Sequence, residues 1–403
     1  MTMTRMATLA WLNLVHDKRR LVVSMAGVSF AVVLMTMELG FRFALLDSMV
    51  EIVRLLDTDL VIVSKSKSTL VSSAPFNRRI LQEALSFREV EEACPLYIET
   101  RFSALRNPVS GRPTGDRSRD RLTRKATARK IRVLAYNPRD HVFFLPEVAA
   151  KSAELDEEET ALYDEKSNQA IGRFTAGHEA SLAQRPLRIV GTFRLGTDLV
   201  NDGNLIMSDQ NFLRYFPDRR FREPELRSVE LGLVRLAPGA DAVQVRRWLE
   251  EELGPRGVSI FTKDQFLARE REFWDVRTPI GTIFSVGALL GLVVGAVICY
   301  QILSSDIADH LAEYATLKAM GYANRFLVEV VMAEALILSV VGFVPGLLIS
   351  SGLYRGLAWY TGLLMNLTPG RALMVLGLTV VMCLGSGLFA MRKLLSADPA
   401  GLF

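Results

Sequence analysis

Four stretches of this chain, residues 21–46, 279–304, 327–354 and 372–391, are continuous apolar runs of 20 residues or more. A helix of about 20 apolar residues crosses the roughly 30 Å of hydrocarbon in a bilayer. In lipid, a lone segment must also satisfy its own backbone groups, which a helix does. The chain is therefore expected to be an α-helical multi-pass membrane protein. Half of its residues are hydrophobic but 23% are charged, so a large polar domain must share the chain with the spans. Segment 47–278 supplies it, giving a 1+3 arrangement with a large α+β extracytoplasmic domain between the first two transmembrane helices.

Charge placement sets the expected topology. Lys18, Arg19 and Arg20 precede the first run, which is too long for a signal peptide and has no small-residue cleavage site. It reads as an uncleaved anchor behind a cytoplasmic amphipathic segment, 1–20. With four spans, the loop 305–326 with Lys318 and Arg325 lies inside, as does the tail 392–403 behind Arg392 and Lys393. The 355–371 loop and the domain 47–278 then lie outside. The arginines of that domain are no objection, because long segments translocate regardless of charge.

Within the runs, small residues recur at helical spacing. Gly287, Gly291 and Gly295 line one face of the second run, and Gly342 and Gly346, then Gly352 and Gly356, line the third, with Pro345 between. Such stripes let a neighbouring helix approach closely, and Pro345 is expected to bend its helix. Glu38 and Arg42 are one turn apart in the first run; either they pair or, the favoured reading, they mark where the helix leaves the bilayer. Glu334 is deeper and is expected to face protein, in a structural hydrogen bond and not a proton relay.

In the external segment, Leu60–Val63, Leu187–Phe193 and Val229–Leu236 read as strands, the last with period-2 character. Pro238-Gly239-Ala240-Asp241 is a turn whose Asp241 caps a helix, 242–253. A strand 258–261 and a charged helix 263–277 follow. That helix runs straight into the second span, and the first span runs straight into the domain near 45–54, so both ends of the domain are expected to sit on continuous helices. Eleven Lys or Arg residues between Arg101 and Arg132 read as a flexible basic loop, about 106–132, solvated in preference to forming a patch for anionic lipid or a partner. The acidic stretch 154–165 reads as a solvated helix face.

Several functions are excluded. Cys94, Cys299 and Cys383 lie far apart, two of them in apolar runs, so neither a disulfide framework nor a Cys/His metal cluster is expected. There is no Gly-x-x-x-x-Gly-Lys-[Ser/Thr], His-Glu-x-x-His, Gly-x-Ser-x-Gly or Gly-x-Gly-x-x-Gly motif. His16, His141, His178 and His310 are scattered. No catalytic residue, metal or cofactor is expected, and a nucleic-acid partner is disfavoured because the basic segment is extracytoplasmic and lacks aromatic platforms.

One cytoplasmic segment has the look of a docking element. From Ser304 to Tyr322, a serine start with Asp306 in the first turn, apolar Ile307, Leu311 and Tyr314 at i, i+4, i+7, and a Gly321 stop describe a short capped amphipathic helix. Its acids Asp306, Asp309 and Glu313 make it poorly suited to anionic headgroups and better suited to a protein partner.

The wording Glu313-Tyr314-Ala315-Thr316-Leu317-Lys318-Ala319-Met320-Gly321, the 1+3 layout and the large outer domain together resemble the FtsX-like, MacB-type permeases of ABC transporters. The likeness is to the DevC branch in particular, through Leu9-Ala10-Trp11-Leu12-Asn13-Leu14, His16 to Arg20, Gly203 to Leu213, Phe261-Thr262-Lys263 with Trp274, Thr278-Pro279-Ile280-Gly281, and Ala397-Asp398-Pro399-Ala400. The basic stretch around Gly115 to Lys130 departs from it, being longer than the usual connection there.

The resemblance implies a homodimeric permease of a bacterial inner membrane, in contact with membrane lipid. It implies two separate ATP-binding subunits that alone bind ATP, a periplasmic membrane-fusion adaptor and an outer-membrane duct. By position, Asp309, His310, Glu313, Tyr314, Lys318 and Gly321 would couple to the ATP-binding subunit, with Glu334 the matching acid in the third span. The function implied is mechanotransmission export of a lipid, glycolipid or other amphiphile. The alternative within the same fold is an FtsX-like regulator that activates a periplasmic cell-wall hydrolase. A membrane-anchored enzyme or sensor would need a catalytic cluster or a signalling domain, and only about 20 residues precede the first span and 12 follow the last.

Overall fold

The structure, a computed structural model, describes residues 18–107, 128–216, 226–311, 314, 316, 318, 320, 322–361, 363 and 365–395. The N-terminal segment up to residue 17, most of the basic loop (108–127), the tail beyond 395, and the coupling residues Glu313 and Gly321 lie outside the described residues. Two compact units emerge, one within 1–43, 279–356 and 365–403, the other within 44–278 and 357–364.

The helical unit holds helices that are long and apolar enough to cross a membrane. They are α1 (Lys18–Leu55), α2 (Pro279–Asp309), α3 (Asn324–Thr361) and α4 (Pro369–Leu395). Each outruns the apolar run that predicted it, because backbone hydrogen bonding continues past the edge of hydrocarbon wherever no residue interrupts it. The connection expected at 355–371 is correspondingly shorter, since α3 remains helical to Thr361. Pro345 lies inside α3 without ending it. A fourth-to-first pattern of small polar side chains ties turns together: Thr36, Ser350 and Thr379 each donate their hydroxyl to the carbonyl four residues earlier, which satisfies these three hydroxyls within their own helices.

The sheet unit is α+β. Its strands are β1 (Leu60–Ser64), β2 (Phe76–Asn77), β3 (Val90–Glu99), β4 (Ala104–Arg106), β5 (Arg129–Lys130), β6 (Arg132–Tyr136), β7 (Thr160–Asp164), β8 (Glu179–Leu182), β9 (Arg185–Phe193), β10 (Asn204–Ser208), β11 (Ser228–Val229), β12 (Leu231–Leu236) and β13 (Val258–Thr262). Among the described residues, eleven strands form one sheet in the order β13-β1-β12-β3-β6-β10-β7-β9-β8-β4-β5, and β11 pairs with β2. Among the described residues only β6–β10 and β7–β9 are parallel pairs.

Both faces of the central strands of this sheet are covered. In β1, Leu60 and Ile62 enter one apolar core with Val245, Leu249 and Leu253 of helix Ala242–Leu253. Val61 and Val63 enter the other, with Phe266 of helix Lys263–Val276 and with Ile52, Val53 and Leu56 from the end of α1. The double covering explains why β12 does not alternate: the period-2 expectation for 229–236 gives way to a strand buried at five of its six positions. The acidic stretch 154–165 is not a helix face either. After the short helix Ser152–Leu155 the chain turns at Glu159, which has a positive φ of 59°, and continues as the fully buried β7. Thr160-Ala161-Leu162-Tyr163 fits a covered strand, and the acids crowd the turn before it.

Local chemistry sets the helix ends. Asp241 accepts hydrogen bonds from Val243 N (2.9 Å) and Gln244 N (3.4 Å) at the start of helix Ala242–Leu253. Thr262 and Gln265 form a reciprocal capping box on helix Lys263–Val276. That helix does not continue into α2: residues 277–278 leave the helix before Pro279. Proline has no N–H to donate and pushes its predecessor out of helical geometry, so the expected single rod is two helices with a joint.

Candidate coupling site

In the helical unit α2 packs along α4, and α1 is approached closely by both α2 and α3. Gly287, Gly291 and Gly295 of α2 and Gly342 and Gly346 of α3 face α1. A Cβ added at Gly287 would lie 2.5 Å from Glu38 Oε2, and one at Gly295 would meet Ala31 and Met382. At Gly342 and Gly346 the same atom would meet Val28 and Val32 at 2.6 and 2.8 Å. Gly291 stands looser, with Leu34 and Met35 at 3.5 Å, and Gly352 and Gly356 face open space. Helices held this closely pack through backbone and small side chains, which in lipid is the main source of association. Glu38 and Arg42 are half-buried, and Glu334 is 1% exposed inside the bundle.

Polar contacts add register. The Ser29 hydroxyl donates to Gly342 O (2.8 Å), the Tyr354 hydroxyl to Thr36 O (2.5 Å), and the Ser386 hydroxyl to Ala296 O (2.8 Å). The Tyr354 ring occupies the space that a Cβ on Gly40 would need. None of these pairs was anticipated from the sequence. The one available signal, a small hydroxyl or a glycine inside an apolar run, marks a helix contact without naming the partner.

The connection after α2 departs from the expected capped helix at Ser304. Instead α2 continues without a break through Ser304, Ser305 and Asp306 to Asp309, since neither Gly nor Pro interrupts this stretch. A turn at His310 follows, where His310 N bonds Asp306 O (3.1 Å) and Tyr314 N bonds His310 O (3.0 Å). The predicted apolar stripe forms: Ile307 and Tyr314 are buried with Leu303, Leu327 and Val331, and Leu311 is packed against them. Tyr314 therefore anchors the connection to its own bundle. Asp309, Thr316, Met320 and Tyr322 are exposed, while His310 and Lys318 are half-buried. The face available to a partner is thus the one opposite Tyr314, and it continues into the exposed start of α3, where Arg325 and Glu329 pair at 3.0 Å.

In the sheet unit, two features tie the outgoing and returning chain. Lys263 Nζ donates to Leu56 O (2.6 Å) and Arg54 O (3.0 Å), placing a cation on the carbonyl end of α1; burial lowers the Lys263 pKa. Asp47 pairs with Arg271 (3.3 Å) and with Arg54 (3.6 Å). Residues 357–364 belong to this unit too: Gln169 Nε2 donates to Trp359 O (2.8 Å) and the Thr197 hydroxyl to Thr361 O (3.1 Å). Thr197 sits in a loop held by a buried cage. There Arg132 donates to Asp198 (2.7 Å) and Asn204 (2.9 Å), and Asn204 donates to Asp164 (2.7 Å). No group of His, Cys, Asp and Glu among the described residues is arranged to hold a metal ion.

Residues 285–399 match the family model described as FtsX-like permease C-terminal. The match takes in nearly all of α2, all of α3 and α4, and the connection that carries Asp309 to Tyr322; the C-terminal helical part of the chain is FtsX-like. No curated protein matches the chain in sequence. In structure, the chain is similar to the periplasmic region of MacB from Actinobacillus actinomycetemcomitans, at 10% identity and a TM-score of 0.33, over 52% of this chain and 91% of that one. It is also similar to the extracellular domain of the noncanonic ABC-type transporter YknZ from Gram-positive bacteria, at 9% identity and a TM-score of 0.31, over 51% of this chain and 98% of that one.

Proposed function

We propose that this chain is the permease subunit of an ABC-type mechanotransmission exporter. In this reading it lies in a bacterial inner membrane as a homodimer, with four spans, cytoplasmic termini and the sheet unit in the periplasm. ATP is bound and hydrolysed by a separate pair of subunits, and a membrane-fusion adaptor and outer-membrane duct continue the path outward. The cargo is a lipid, glycolipid or other amphiphile, as the DevC-like wording of the sequence suggests. The observation that carries the reading is the FtsX-like match across 285–399, because it spans the apolar helices together with the exposed connection a partner would engage.

Two physical features support it. The helix α1 is unbroken over 38 residues, about 57 Å at 1.5 Å per residue, and its last turns are built into the core of the sheet unit through Ile52, Val53 and Leu56. The joint at residues 277–278 gives the returning path a place to bend.

The test is gentle detergent extraction of the tagged protein at native expression, followed by mass-spectrometric identification of what co-purifies. An ATP-binding subunit with a periplasmic adaptor is the expected result. An ATP-binding subunit with a wall hydrolase and no adaptor would replace export by regulation, and no ATP-binding subunit at all would end the permease reading.

A further inference from the structure

The sheet unit contains a cleft of about 1020 Å3 that the coupling geometry does not use. Its floor follows from strand register. Ala104 of β4 faces Lys130 of β5 across the ladder, and Ala183 N donates to Ala104 O. Period-2 alternation then puts Ala104, Arg106 and Lys130 on the cleft side, while Leu105 and its partner Leu182, both 0% exposed, point into the core. Two alanines in the floor leave the volume open. The tight turn at Ala183 and Gln184, both with positive φ, brings Arg185 to the same rim.

The lining has two characters. Five cations border the cleft against two carboxylates, and both carboxylates are engaged: Glu99 accepts from Arg101 N (2.7 Å) and Phe102 N (3.1 Å), and Glu230 lies 3.7 Å from the buried Lys67 Nζ. Arg101, Arg106 and Lys130 have no carboxylate partner among the described residues. Lys130 and Arg106 are diagonal neighbours on one sheet face, close enough for both long side chains to reach one anion. The remaining lining includes apolar Val71 and Phe102, Phe102 being 60% exposed. Small-molecule sites run to about 1,000 Å3, so this cleft is at the large end of that range.

We propose that the cleft binds one molecule of an anionic amphiphile, its phosphate, sulfate or carboxylate headgroup held by Arg101, Arg106, Lys130 and Arg185 and its apolar part lying on Val71 and Phe102. That the bound molecule is cargo rests on the permease reading; that it binds does not. Arginine suits the headgroup because its planar donors match oxyanions bidentately.

The experiment uses the full-length protein in a neutral maltoside detergent and follows the fluorescence anisotropy of NBD-labelled phosphatidylglycerol, with NBD-labelled phosphatidylcholine of the same chains as the neutral-headgroup control. Two variants are compared with wild type. Arg106→Ala with Lys130→Ala removes charge, and Ala104→Trp fills the floor without touching charge. The assignment predicts preference for phosphatidylglycerol, and roughly tenfold or greater weakening in each variant. Lipid held along the apolar helices would be unaffected by either change, so it does not mimic this result. Equal affinity for the two lipids, or wild-type affinity in either variant, overturns the assignment. Full displacement of the labelled lipid by millimolar inorganic phosphate overturns the amphiphile and leaves a bare anion site. ATP hydrolysis by whatever subunit co-purifies is read on the same preparations: its absence counts against the permease reading alone, and lost lipid binding with normal hydrolysis counts against the cleft alone.

Discussion

In β1 all five side chains are buried, whereas in α2 Ile283, Leu289, Leu290 and Val297 are 52–62% exposed. Both segments are strongly apolar, and the difference lies in what completes them. The sheet unit covers each face of its central strands with its own helices. The helical unit buries a glycine stripe and leaves the opposite faces of its helices apolar and open, a surface that only lipid or another apolar face can cover. One chain thus satisfies two solvents. Buried polar groups are found in both units: a charged cage in the sheet unit, and hydroxyl-to-carbonyl contacts together with the buried Glu334 in the bundle.

Four perturbations test this contrast, in decreasing order of effect. The largest concerns reactivity. Cys94 is buried in β3, where burial first, and then Asp140 and Glu92, raise its pKa to about 12. The pH dependence follows in sign. A thiol whose folded pKa is raised contributes stability that is complete below its ordinary pKa, about 8.5, and is lost as pH rises toward 12. At neutral pH it carries roughly a thousandfold less thiolate than an exposed cysteine. The natural cysteine, otherwise the obvious topology probe, is therefore expected to resist a membrane-impermeant maleimide, while an exposed Ser68→Cys labels from outside in intact cells. Comparable rates at both positions would show that β3 opens readily.

Next comes the charged cage. Arg132→Ala leaves Asp198 buried without its cation, since both side chains are at most 2% exposed. Removing one partner of such a pair costs about 3–5 kcal/mol, so thermal unfolding followed in the sheet unit should shift strongly downward. The double change Arg132→Met with Asp198→Leu should recover most of the loss; failure to recover would mean that the cage, and not its charge, sets the fold there.

The bundle is expected to be more tolerant. Gly346→Leu drives atoms into Val32 and should cost about 1–3 kcal/mol, as overpacking does. Gly385→Leu, with nothing within 4 Å of its Cβ position, should be neutral. Resistance to heat aggregation in detergent separates the two, and equal losses would break the account of α1 as the element that the glycines receive. Smallest of all is Arg188→Ala. Its pair with Glu157 is more than half exposed on both sides, and such pairs contribute about 0–1 kcal/mol; a larger shift would place that edge of the sheet against something else.

How far the sequence reveals this molecule depends on range. The Asp241 cap and the strand at Leu60 follow from a handful of adjacent residues, and both are present as read. The apolar runs were visible because a span must be long and uniform. By contrast β3, where Glu91, Glu92 and Pro95 interrupt the apolar pattern, has no local signature, and its burial comes from β12 and β6 on either side. The stripe of Ile307, Leu311 and Tyr314 was legible as amphipathic, but amphipathicity does not say what covers it, and here the bundle itself does. Tyr354 and Gly40 meet across the bundle, where no periodicity points. The joint before Pro279 was written in the sequence as Thr278-Pro279, yet the long apolar run after it argued for continuity.

The central claim is that ATP bound on a partner subunit moves the sheet units of a dimer. It is tested most directly by double electron–electron resonance between nitroxides at Ser68→Cys of the two copies, in the intact complex reconstituted with lipid. The account predicts a shift in the distance distribution when a non-hydrolysable ATP analogue is added. Identical distributions with and without nucleotide, in a complex that hydrolyses ATP, would contradict it.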